Sequence, residues 1–257
     1  MEQSSGIGAA LARHFKAQRV TWLMSGLVLL LAVAIRVYQQ LMAYSVGTDF
    51  YEPEFQTYWM SLLYAELGIL ALGSAIGAVY IWQTREKDLK TLPATVELNR
   101  YYKLISIFAV IAVWAGTIGY LAVESDAAWH QVTIRDTDFT PTHIVIFYFA
   151  IPLLTSMLIL TALWTHTRLP EFVGKISVPF AGLATGVFMI MPNYGFNEWG
   201  HTFFYAEELF SAPIHYGFVV LGWSFFFLVP LVVQFISRMA VLIPKVVQEQ
   251  QAAASAV

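Results

Sequence analysis

Residues 20–44 read VTWLMSGLVLLLAVAIRVYQQLMAY, an apolar run interrupted by a single charge, Arg36. A helix that crosses a bilayer needs roughly 20 mostly apolar residues. This run is long enough to cross, and it is too long for the core of a signal peptide. No small-residue cleavage site follows it, so it is expected to be a retained first transmembrane helix. Five further apolar blocks follow, at Thr57–Trp82, Leu104–Val123, His143–Thr165, Ile176–Met191 and Pro213–Val241. The fifth block is short and has Gly174, Pro179, Gly182 and Gly186 in or beside it. It is expected to be tilted, kinked or only partly spanning.

Composition points the same way. Of 257 residues, 58% are hydrophobic and 12% charged, with a mean hydropathy of +0.62. A soluble domain carries about a quarter charged residues. The expected fold class is therefore all-α, a polytopic membrane helical bundle of about six transmembrane helices forming one domain over 1–257. Residues 1–19 are a polar N-terminal segment, and 242–257 a tail that frays beyond Gln248.

Charge orients the bundle. All Lys and Arg residues except Arg36 and Arg135 fall before the first block, between the second and third, between the fourth and fifth, or at the C-terminal end. The positive-inside rule makes that side cytoplasmic. Both termini then lie inside, which requires an even number of spans. The opposite loops are acidic, with Asp49, Glu52 and Glu54, then Glu124, Asp126, Asp136 and Asp138, then Glu198, Glu207 and Glu208. The chain has no Cys, which excludes thiolate zinc sites, iron–sulfur clusters and disulfides. A net charge of −3 and the absence of a basic, aromatic-interleaved patch exclude nucleic acid as a partner.

Of the six His, His14 and His166 lie beside basic residues on the cytoplasmic side and read as surface histidines. The other four fall on the outer side in two matching sets, Asp126, His130 and His143, and Asn197, His201 and His215. In each set an Asx stands four residues before a His. A second His follows 13 or 14 residues later, two after a proline (Pro141 or Pro213), at the start of a span. If the segment is helical, positions i and i+4 share a face, so Asp126 and His130 can address one ion while His143 supplies a third ligand. Three protein ligands leave positions open for chemistry. Ionisable groups at membrane depth are functional candidates for a further reason, since placing them there is unfavourable. Imidazole suits copper, iron and zinc alike, and two His plus a carboxylate also describes non-haem iron. The His boxes of membrane di-iron hydroxylases are absent, and helix-end histidines argue against a haem electron carrier. Arg36 and Glu66 sit at similar depth in the first two spans and are expected to pair.

Four stretches resemble the C subunit of the copper membrane monooxygenases. They are Asp126–His143, which includes WHQ at 129–131 and RDTDFTPTH at 135–143; PNYGFNEWGH at 192–201; EELFSAPIH at 207–215; and EPEF at 52–55 with Trp59. The resemblance covers about residues 36–225. It implies copper as the metal, held by Asp126, His130 and His143 at one site and by Asn197, His201 and His215 at a second, and these six residues are also the implied catalytic set. It implies assembly with A and B subunits as a trimer of heterotrimers in a bacterial inner membrane, with quinol as reductant. O2 and a small gas are the implied substrates: methane or a short alkane, with ammonia as the alternative. A non-catalytic copper-binding or scaffold role within such a complex is the competing expectation.

Overall fold

The computed structural model describes residues 18–46, 51–132, 144–186 and 207–255, with side chains for all of these except 122–132, 147–148 and 207–225. Among the described residues every regular element is helical. Helix α1 spans Arg19–Ser45. Helix α2 runs Pro53–Gln83 through a π-turn at Gln56–Met60. Helix α3 spans Ala94–Val132. Helix α4 runs Ile144–His166 and opens as a π-helix over Ile144–Ala150. Helix α5 covers 178–186, and α6 spans Glu207–Ser255. Five of these are long and apolar enough to cross a membrane. The fifth block of the sequence is described only as α5.

The outward surface is apolar. Ile69, Tyr120 and Phe226 are each more than 70% exposed, a distribution that only a hydrocarbon solvent favours. The interior is close-packed aromatic and aliphatic. Tyr101, Leu104, Phe172, Phe180, Leu231 and Phe235 form one cluster where α3, α5 and α6 meet. A second joins α1 to α3 and α4 through Ala32, Trp114 and Val145, and the Trp114 indole donates to the Ala150 carbonyl at 3.2 Å. Buried Thr161 and Thr165 return their hydroxyls to carbonyls one turn back, at 2.6 and 2.8 Å, the usual solution for a hydroxyl in a dry helix. The π-helix of α4 ends just before Pro152. Proline has no N–H and crowds the preceding turn, and a wider turn relieves that crowding.

The basic segments gather at one end of the bundle. Arg168 reaches the end of α2, bonding the carbonyls of Ile81 and Thr84, each at 3.2 Å, and the Thr84 hydroxyl at 2.6 Å. A cation there meets the negative end of the helix dipole. Arg100 bonds the Arg168 carbonyl and the Glu86 carboxylate, both at 2.6 Å. The Arg100 hydrogen bond holds the Glu86 carboxyl below its ordinary value. Glu97, buried, receives two hydrogen bonds from Arg238 at 2.8 and 2.9 Å. Glu249 accepts from the Ala94 and Thr95 amides at 2.8 and 3.1 Å, meeting donors that a helix start otherwise leaves unpaired.

Three expectations need correction here. The segment beyond Gln248 is helical through Ser255 and caps α3 rather than fraying. His166 is not a plain surface histidine. Its ring packs edge-on to Phe172 and Phe180, at 5.6 and 6.1 Å, and its Nδ1 lies 2.7 Å from the Ala162 carbonyl. Arg36 does not turn to Glu66. It donates to Gln39 on its own helix at 2.6 Å, and Gln40 accepts from it once its carboxamide oxygen is turned inward. Glu66 Oε2 is buried with no hydrogen-bond partner among the described residues.

Gly182 shows why α5 is glycine-bearing. A Cβ built there would lie 2.5 Å from the Phe227 ring of α6. Gly182→Ala is therefore expected to lower stability by about 1–2 kcal/mol, overpacking outweighing alanine's better helix propensity. The thermal midpoint in mild detergent reads this, and Gly182→Ala with Phe227→Leu should recover most of the loss. A single variant as stable as the parent would show that the ring yields freely.

Candidate metal centre

Helix α3 does not stop where its apolar run ends. It continues to Val132, so Asp126 and His130 lie on regular helix. Four residues correspond to about 6 Å of rise and little more than one turn, so the two positions occupy one side of α3. That meets the condition on which the first ligand set rests. Their position is the end of α3 opposite the Glu249 cap, away from the basic cluster.

His215 lies within α6, eight residues after its start at Glu207. The side chains of Asp126, His130 and His215 lie outside the described set, and His143, Asn197 and His201 lie outside the described residues altogether. Among the described residues no three His, Asp or Glu side chains gather closely enough to hold an ion. What the backbone brings together is the pair of helices. α3 and α6 pack on each other; the ring contacts between them, Tyr101 and Phe108 against Phe235, each at 5.9 Å, lie towards the basic end and not at the turns that carry Asp126 and His130. The donor set, two imidazoles with a carboxylate or a carboxamide, fits a borderline divalent or monovalent transition metal.

Beside this end sits a packed platform. Ile144, the residue after His143, is 1% exposed and clusters with Ala43, Phe55 and Trp59. Tyr38 meets Trp59 edge to face at 5.6 Å and donates its hydroxyl to the Tyr58 carbonyl at 2.6 Å. Phe55 and Trp59 are thus core packing that fixes the start of α2 against the start of α4, while Glu52, Pro53 and Glu54 of the same motif are exposed. Both π-turns, Gln56–Met60 and Ile144–Ala150, fall at these two starts, and π-turns concentrate near functional sites. The motif marks Phe55 and Trp59 but not Tyr38 or Gln39. The signal for Gln39 is its spacing of three from Arg36, which places both on one helix face.

The curated proteins compared with the chain include no match. The family model for the C subunit of ammonia monooxygenase/methane monooxygenase matches residues 2–246. With that match running over nearly the whole chain, and with the apolar helical bundle that accompanies it, this protein belongs to the family of ammonia monooxygenase/methane monooxygenase C subunits.

Proposed function

We propose that this chain is the C subunit of a copper-dependent membrane monooxygenase, with its metal sites near the periplasmic side of a bacterial inner membrane. The observation that carries the reading is the unbroken helix through Asp126 and His130, within a chain of this family. Asp126, His130 and His143 would hold one copper, and Asn197, His201 and His215 a second. Copper, when bound, supplies the one-electron steps needed to reduce dioxygen, so that one oxygen atom can enter an unactivated C–H or N–H bond.

The chain's own residues do the rest. His130 and His143 would present neutral imidazole lone pairs, and Asp126 would contribute the negative charge that offsets the cation. Helix α3 fixes the Asp126–His130 spacing before any metal arrives, so little ordering remains to be done on binding. The platform of Phe55, Trp59 and Ile144 anchors the start of α4, at the residue that follows His143 in the chain. The surrounding apolar helices suit a small gas, with methane or a short alkane favoured and ammonia the alternative. Supply of electrons by a quinol, and assembly with A and B subunits as a trimer of heterotrimers, complete the proposal. The basic end of the bundle is assigned to the cytoplasm by its charge.

Metal analysis of the purified complex tests this. Copper should co-purify, chelation should abolish turnover of methane, a short alkane or ammonia, and copper but not zinc should restore it. Carboxamide is a weaker ligand than carboxylate, so copper at the Asn197 set should leave first during chelation. Full turnover in a copper-free preparation would end the proposal.

A further inference from the structure

At the basic end, a groove of about 540 Å³ opens between the start of α3, the Pro170–Phe172 turn and the last part of α6. Its charged lining is Lys90, Arg238, Lys245, Glu97 and Glu249. The two carboxylates are already engaged, Glu97 by Arg238 and Glu249 by the Ala94 and Thr95 amides. The guanidinium of Arg238 is likewise committed. What remains is two ammonium groups, Lys90 and Lys245, with no ion-pair or hydrogen-bond partner for either ammonium among the described residues. Three cations and two carboxylates line the groove, so it is net positive by one charge, and Lys90 and Lys245 are its two uncommitted ammonium groups.

The remaining lining is apolar. It includes Leu92, Val173 and Leu242; Val173 is 42% exposed, and Ile176, three residues further along the chain, is 80% exposed. The groove thus sets two uncommitted ammonium groups beside exposed apolar side chains. A free anion would use only the ammonium groups, whereas a molecule with a phosphate and an acyl chain uses both.

We propose that this groove binds an anionic phospholipid of the surrounding leaflet. The headgroup phosphate lies between Lys90 and Lys245, and one acyl chain passes over the exposed Val173. Basic pockets between transmembrane helices on the cytoplasmic side suit such headgroups, each basic side chain contributing attraction to the anionic leaflet. The inference rests on the membrane-spanning reading of the bundle but not on the copper sites.

The test uses the intact complex, reconstituted into nanodiscs of phosphatidylcholine with a minor share of phosphatidylglycerol, then analysed by native mass spectrometry. The parent should retain phosphatidylglycerol in preference to phosphatidylcholine. Lys90→Glu with Lys245→Glu should reduce that retention on the order of 10-fold. Lys90→Gln with Lys245→Gln, a milder change should the first fail to assemble, should reduce it less. Copper content and turnover should stay at parental levels in both, which separates failure of this site from failure of the enzyme reading. Excess inorganic phosphate should leave retention unchanged. Equal retention by parent and variants, no preference for the anionic lipid, or displacement by inorganic phosphate would each overturn the proposal.

Discussion

His130→Ala is expected to abolish turnover, by on the order of 100-fold or more, while the complex still assembles. Loss of a group that merely orients a metal ligand lowers affinity or activity by about 10- to 100-fold, and His130 is proposed as a ligand itself. The proposed set would fall from three protein donors to two, Asp126 and His143, too few to hold the ion firmly. Alanine is the best helix former, so α3 should keep its course through residue 130, and the change should act on the site rather than on the fold. Helical content and subunit stoichiometry verify that. Copper analysis of each separated polypeptide then distinguishes two outcomes. If metal leaves this chain and turnover falls with it, the chain's own site takes part in the reaction. If metal leaves this chain and turnover persists, the site is a scaffold and the chemistry belongs to a partner.

The second large effect is structural. Arg238→Ala should destabilise the bundle by about 3 kcal/mol, read as a lower denaturant or thermal midpoint in mild detergent. Glu97 keeps 4% of its side chain exposed and Arg238 30%, so removing the guanidinium strands a carboxylate in a dry site. Breaking a buried pair from one side is far more damaging than replacing it whole, and the one-sided change typically amounts to about 3–5 kcal/mol. The lower end applies because Arg238 is partly wetted. Glu97→Gln with Arg238→Met should recover most of the loss. Equal midpoints for Arg238→Ala and the parent would mean that the pair contributes nothing to stability.

The long helices were legible because apolar length is a strong signal, but their ends were not. Hydropathy marks Leu104–Val123, whereas α3 begins at Ala94 and ends at Val132. The extra turns carry Glu97, Arg100 and Asp126, residues that a lipid-facing segment excludes but a helix projecting beyond the bilayer accepts. The opening amides of Ala94 and Thr95 find their partner in the distant Glu249, which no local pattern announces. Likewise the glycines of the fifth block read as weakness, yet Gly182 lies where a ring of α6 presses on the backbone. Depth alone pairs Arg36 with Glu66. It leaves the angle around each helix undetermined, and Gln39, one turn on from Arg36, is nearer. For the site, the i, i+4 spacing and the repeated proline–histidine step mark the candidates, and the helical backbone at Asp126 and His130 supports one pair of them. A meeting of ligands from separate helices would be a matter of tertiary structure, which spacing does not encode.

The Glu249 carboxylate meets the amides at the start of α3 across a sequence separation of 155 residues. Until Glu249 is in place, the amides that open the third helix, which project beyond the bilayer, have water as their partner. The final residues of the chain thus finish a helix begun 155 residues earlier, and truncation before Glu249 is expected to leave the start of α3 uncapped.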